Sequence, residues 1–290
     1  MKFDENGIHI HQSDLKNHCL EKLRLETVAT GPRVENDAAT VGTVLHATIE
    51  HELSNGKFDD VDAAVNFAAY EYVRTLEQYQ EEERPYVLSS FGDHSKAIAH
   101  LDVLVRSWYA CDERQELLDA TVEPFIEWQF DLRFADIPVK KHGKKAEEVP
   151  VYLAGTADIV WNNMVWDWKT AGSEFRLWEK QRWDRQPDVY TWAAAQAGLI
   201  QPDKDGLYRF DFKVFVRRAT PVEPQTVTVF RSVNNWRWLY DMITRLVNMT
   251  YNMGLDREWP VDDQHVLCSP KWCTFFDVCK GAHVAGDTWV

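Results

Sequence analysis

The chain has 290 residues, with 32 Lys+Arg against 46 Asp+Glu (net charge −14), 45% hydrophobic and 27% charged residues. This balance is that of a globular protein and excludes disorder and collagen-like repeats, while the acidic excess argues against indiscriminate coating of polyanions. No apolar run approaches the roughly 20 residues that cross a bilayer; the start Met1-Lys2-Phe3-Asp4-Glu5 lacks an apolar leader, so a cytoplasmic protein is expected, and the five cysteines point to metal or catalysis before disulfides.

Ser13 is placed to cap a helix over residues 14–25, with Leu15, Cys19 and Leu23 near one stripe. A second helix is expected over 40–53, capped by Thr40, with Val41, Leu45, Thr48 and Ile49 at helical spacing. Longer amphipathic helices follow over 59–79 and 93–112, where Cys111 sits with Val103, Leu104 and Trp108 and reads as core. The period then falls to two. Ile126, Trp128, Phe130 and Leu132 alternate with polar residues as a strand, and a basic loop over 140–145 precedes strands at 151–160 and 164–169, joined by the turn Asn162-Asn163. A helix is predicted from Pro187 to Gly198, strands over 208–216 and 225–231, and a helix over 234–253. The pattern predicts an α/β fold with a mixed central sheet flanked by helices. It divides into a helical N-terminal part (1–120, with Cys19 and His46), a core of sheet and helices (121–255) and a cysteine-bearing tail (256–290), packed as one compact unit.

The hairpin carries the chemistry. With Asn162-Asn163 as a two-residue turn, Asp158 falls opposite Asp167, and facing side chains of an antiparallel pair lie roughly 4.5–5.5 Å apart. Two like charges at that distance repel, and a divalent cation, Mg²⁺ or Mn²⁺, held by both would offset the repulsion. Lys169, two residues beyond Asp167, projects from the same face. Two carboxylates and a lysine on one patch suit phosphoryl chemistry.

Gly155-Thr156-Ala157-Asp158 followed by Asp167-Trp168-Lys169 resembles the PD-(D/E)XK nuclease superfamily, in particular its RecB-type branch, which includes exonucleases of CRISPR adaptation and phage recombination nucleases. The resemblance extends to Gly42-Thr43-Val44-Leu45-His46 and to Gln186 and Tyr190, which match the Gln-x-x-x-Tyr helix of that branch. It implies a restriction-endonuclease-like core and a metal held by His46, Asp158, Asp167 and the main-chain carbonyl of Trp168. Lys169 is then the catalytic lysine, and Gln186 and Tyr190 contact the nucleic acid or brace the site. Glu50 shares the face of His46 at i, i+4 and is placed to orient it.

Cys268, Cys273 and Cys279, with the distant Cys19, could hold a 4Fe–4S cluster or tetrahedral Zn²⁺, and spacing alone does not choose between them. The resemblance favours 4Fe–4S, because iron–sulfur members of that branch place one cysteine before the core and three after it. Arg176, Lys180, Arg182 and Arg185, with Lys140, Lys141, Lys144 and Lys145, are the candidate phosphate track. Six tryptophans between 161 and 192 could stack unpaired bases, though none is assigned individually. The expected function is a metal-dependent DNA exonuclease acting on ends or single strands. The alternative is a non-catalytic DNA-binding or protein-interaction module that keeps the fold and the metal staple.

Overall fold

The computed structural model describes residues 1–16, 19–29, 34–140, 145–262, 268, 273 and 275–279, so Lys141 and Lys144 of the expected basic loop lie outside the described residues. It opens with a hairpin where the reading above expects helices. Strands β1 (Lys2–Asp4) and β2 (Gly7–His11) pair antiparallel, with Ile8 and Ile10 buried. The signal was present in the Asn-Gly dipeptide at 6–7, which follows the Glu5-Asn6 turn into β2, and in the alternation of Ile8, His9 and Ile10. The helix expected over 14–25 is instead a 3₁₀ turn (Gln12–Lys16) followed by α1 (Leu20–Val28). Asp14 accepts from the His11 amide at 2.8 Å, which closes the chain into a tight turn directly after β2.

A short strand β3 (Glu35–Asn36) leads into α2 (Asp37–Asn55). Asn36, not Thr40, caps this helix: its side-chain oxygen accepts from the Ala39 amide at 2.9 Å, while the Thr40 hydroxyl donates to the Asn36 carbonyl at 3.0 Å. Helix α3 (Val61–Glu81), strand β4 (Tyr86–Val87), α4 (His94–Tyr109) and α5 (Asp112–Leu118) complete this part. Leu45, Ile49, Tyr72, Leu104 and Trp108 form its core, together with Cys111 and the sheet residues Ile159, Trp166, Trp168 and Phe215. The helical part is therefore one cover of the sheet.

The sheet contains β5 (Phe125–Val139), β6 (Glu147–Trp161), β7 (Met164–Ala171), β8 (Tyr208–Val216) and β9 (Gln225–Arg231). Helices α6 (Leu177–Trp183), α7 (Gln186–Gln196) and α8 (Val233–Met253) lie between or after them. Seven strands make one mixed sheet in the order β1-β2-β6-β7-β8-β9, with β5 also on β6. Its second core joins Leu23, Val189, Leu239 and Ile243 from helices to Ile8, Val165 and Phe210 from strands. No helix among the described residues is long and apolar enough to cross a membrane.

Strand β6 decides where the site lies. β5 runs antiparallel along one of its edges. On the other edge β2 pairs in parallel with residues 151–154, and β7 pairs antiparallel with residues 159–161. Residues 155–158 belong to neither ladder, so the sheet forks there.

Candidate active site at the sheet fork

The β6–β7 hairpin has the register the sequence predicts, pairing Ile159 with Trp166, Val160 with Val165 and Trp161 with Met164. Asn162 and Asn163 turn it with φ of 49° and 63°. The ladder ends one pair before Asp158 and Asp167. Beyond that point β7 no longer pairs with β6, while on its other edge it stays paired in parallel with β8 from Met164 to Ala171, and the Trp168 amide donates across the opening to Asp158 Oδ2 at 2.5 Å.

Helix α2 closes over the fork because Gly42 lets it approach β7. A Cβ at that position would lie 2.9 Å from Thr170 Oγ1. One turn further on, His46 Nδ1 stands 3.8 Å from Asp158 Oδ2, and the ring hydrogen-bonds to the Trp168 backbone. Burial, and then the Lys169 charge, push the His46 pKa down to about 3, so the imidazole is neutral at pH 7 and keeps a lone pair for a ligand.

Glu127 is the residue the sequence reading missed. Its neighbours Ile126 and Trp128 pair with Ile159 and Ala157, so Glu127 sits opposite Asp158, but its φ of 47° breaks the ladder at that point. A non-glycine residue with positive φ inside a strand is unusual, and such strain clusters at functional sites. The kink leaves the carboxylate of Glu127 with those of Asp158 and the ring of His46, all three donor atoms within 4.8 Å of one another. Burial, then Glu50 and Asp167, raise the Glu127 pKa to about 7. The Asp158 pKa is likewise raised, by burial and by the neighbouring Asp167 charge.

Asp167 is not within that group of three among the described residues. It is buried and held from two sides, with Gln186 Nε2 donating to Oδ1 and Lys169 Nζ forming an ion pair with Oδ2. Oδ2 faces the Lys169 ammonium, and no other donor reaches it among the described residues. Burial disfavours the Lys169 charge, but Asp167 and Asp158 outweigh it and hold the pKa above its ordinary value. Lys169 Nζ also donates to the Trp168 carbonyl at 3.3 Å. Tyr190 is buried one turn beyond Gln186, and its ring meets Phe130 edge to face at 5.7 Å. Gly155 accommodates both rings, since a Cβ there would lie 2.9 Å from Phe130 and 3.1 Å from Tyr190.

The donor set is the carboxylates of Glu127 and Asp158 and a neutral imidazole, with the carboxylate of Asp167, ion-paired to Lys169, beside them. Such a set fits a hard divalent cation such as Mg²⁺ or Mn²⁺. Among the described residues Glu50 makes no hydrogen bond to His46; its charge acts on Glu127 instead.

The cysteines are less gathered. Cys19, Cys111, Cys273 and Cys279 are in no disulfide, and among the described residues no three sulfurs lie within 4.8 Å of one another. Residues 255–259 nevertheless lie against α1. The Trp259 amide donates to Glu21 at 2.7 Å and Arg24 donates to the Leu255 carbonyl at 2.9 Å, so polar contacts hold this junction. Cys273 has its pKa raised by burial, with Cys279 and Cys19 close enough to contribute.

A family model, that of the PD-(D/E)XK nuclease superfamily, matches residues 16–280, and the chain belongs to that superfamily. Comparison with curated proteins finds no match. Membership makes the chain a nuclease whose chemistry depends on divalent metal, on a restriction-endonuclease-like α/β core.

Proposed function

We propose that this member of the PD-(D/E)XK nuclease superfamily is a cytoplasmic exonuclease of the RecB-type branch, hydrolysing phosphodiester bonds of DNA at ends or in single strands. The observation that carries this reading is the meeting of His46, Glu127 and Asp158 at the fork, beside an Asp167 paired to Lys169. His46, Asp158, Asp167 and the Trp168 carbonyl, with Glu127 added to the set, are the residues that would hold Mg²⁺ or Mn²⁺. Bound there, the cation supplies a water of lowered pKa and positive charge against the phosphoryl oxygens. Lys169 places its ammonium where negative charge develops. Gln186 fixes Asp167 from behind, and Tyr190 braces the helix that carries Gln186.

At the other end of the chain, Cys19, Cys268, Cys273 and Cys279 are assigned to a 4Fe–4S cluster, with zinc as the alternative. The nearness of Cys19 and Cys279 to Cys273 supports this. Iron, zinc and the visible spectrum of protein purified without air decide between the two metals, and absence of both rejects the staple.

Digestion of end-labelled linear and closed circular DNA tests the activity. The wild type with Mn²⁺ is expected to degrade the linear form, spare the circle and stop when chelator is added. Lys169→Ala is expected to lose on the order of 10²–10³-fold in rate and to lower the melting of metal-free protein, because buried Asp167 loses its ion-pair partner. Full activity in Lys169→Ala rejects the assignment of the lysine, and equal digestion of the circle rejects the exonuclease reading.

A further inference from the structure

Beside the fork lies a second feature that the metal site does not use. The 3₁₀ turn, α6, the start of α7 and α8 enclose a cavity of about 470 Å³, lined by Leu15, Lys16, Lys180, Trp183, Arg185 and Met242. It adjoins the site through a chain of contacts. Lys16 Nζ donates to Gln186 Oε1 at 3.1 Å, and Gln186 Nε2 in turn donates to Asp167.

The cations of this cavity are not equivalent. Lys180 meets Asp184 at 2.9 Å and packs on the Phe175 ring at 3.8 Å. Arg185 meets Asp188 at 3.3 Å and lies over the Trp238 ring at 3.7 Å. The remaining acid of the lining, Glu179, has Arg176 at 3.6 Å. Lys16 alone of the lining cations touches no carboxylate among the described residues; its partner is the neutral amide of Gln186. Burial works against the Lys16 charge, and Asp167 and Asp184 act on it only from beyond contact distance, so an ammonium with no direct ion pair beside a phosphodiester-cleaving centre has room for an anion as its contact partner. Trp183 stands at the same cavity with 59% of its surface exposed, although burial of so large an apolar ring is the rule. Leu15 and Met242 give the cavity an apolar floor.

We propose that this cavity holds the nucleotide next to the scissile phosphate on an unpaired DNA strand, Lys16 taking its phosphate and Trp183 stacking on its base. The assignment rests on the nuclease reading above and narrows its substrate to single-stranded DNA. A base inside a duplex has both faces covered by its neighbours and offers none to Trp183, whereas an unpaired base does. A volume of about 470 Å³ accommodates one nucleotide and not a base pair with its backbones.

The test measures binding of oligothymidylate and of a blunt duplex, with Mn²⁺ present, in an Asp158→Asn background that prevents cleavage. Lys16→Ala and Trp183→Ala are each expected to weaken oligothymidylate binding roughly tenfold, the range for loss of one stacked base or one phosphate contact. Lys16→Ala should also reduce the slope of log affinity against log salt by about 0.7, and Lys16→Arg should restore it. Trp183→Ala should leave that slope unchanged. Trp178→Ala, at an exposed tryptophan outside the cavity, should change neither quantity. Unchanged single-strand affinity in both variants, or equal losses on single strand and duplex, overturns the proposal. Parallel digestion by the wild type keeps the two readings apart. Cleavage of DNA with unaltered affinities rejects the cavity alone, and single-strand binding that needs Lys16 and Trp183 without any cleavage rejects the nuclease alone.

Discussion

Two sets of buried carboxylates, reached by the same helix, behave in opposite ways. At the ends of α2, Asp37 and Glu52 are saturated with donors. Asp37 accepts from the amides of Ala38, Ser89, Ser90 and Phe91, the last at 2.7 Å. Glu52 accepts from Trp108 Nε1 at 2.7 Å, Tyr109 OH at 2.9 Å and Arg114 at 2.9 and 2.5 Å. Burial works against both charges, but these donors outweigh it and hold both pKa values below the ordinary carboxylate range. At the fork, on the helix face carrying His46, Asp158 has the Trp168 amide as its donor and faces Asp167 and Glu127. Burial there has no such compensation, and Asp158 and Glu127 are pushed up. The difference teaches that depth does not distinguish a clamp from a site; the supply of donors does. A carboxylate cluster short of donors is destabilised until a cation arrives.

The sharpest way to break this contrast is Asp158→Asn. Cleavage should fall on the order of 10²–10³-fold or more, while thermal melting of metal-free protein stays level or rises. A lower melting temperature would place Asp158 with the clamps. Glu52→Ala should do the reverse. Removing one partner of a buried ion pair costs about 3–5 kcal/mol, and Arg114 would be left with 13% of its side chain exposed and no acid beside it. Denaturant unfolding checks this, and a loss below about 1 kcal/mol would deny Glu52 its structural role.

Glu127→Gln gives a smaller effect with a diagnostic pH dependence. The folded pKa of Glu127 is about 7 against an ordinary 4.5, so the fold binds the proton more tightly than the unfolded chain does. Above pH 7 both states are ionised and the fold carries the whole penalty, at most roughly 3 kcal/mol and less for a half-buried group. Below pH 4.5 both are protonated and the penalty vanishes. Metal-free Glu127→Gln should therefore melt higher than wild type at pH 8, with the gap closing as pH falls from 7 to 4.5. Glu52 has the opposite sign, since its lowered pKa contributes stability above 4.5 that is lost as pH falls further. A gap for Glu127→Gln that does not change with pH would show that charge is not the cause.

Much of this was legible in the chain itself. Strands over 208–216 and 225–231 match β8 and β9 residue for residue, and the Asn162-Asn163 turn set the register that carries Asp158 and Asp167 to the same end of the hairpin. Alternation, helical spacing and turn chemistry are local properties, fixed by sterics within a few residues. Asp158, Asp167 and Lys169 could be named for the same reason, since the phase of the hairpin sets their face; His46, Gln186 and Tyr190 were named by the resemblance to the PD-(D/E)XK superfamily. Glu127 could not be chosen from among the polar residues of its strand, because its place depends on β5 pairing with β6 in one register and on a backbone kink that alternation hides. Nor could the fork be foreseen. It exists because β2, more than a hundred residues away in sequence, takes the edge of β6 that β7 vacates. The contact between Lys16 and Gln186, 170 residues apart, is of the same kind. Local phase told which side chains share a face. Which faces meet was settled by long-range strand pairing and burial, which reward contacts only after the intervening loops have closed.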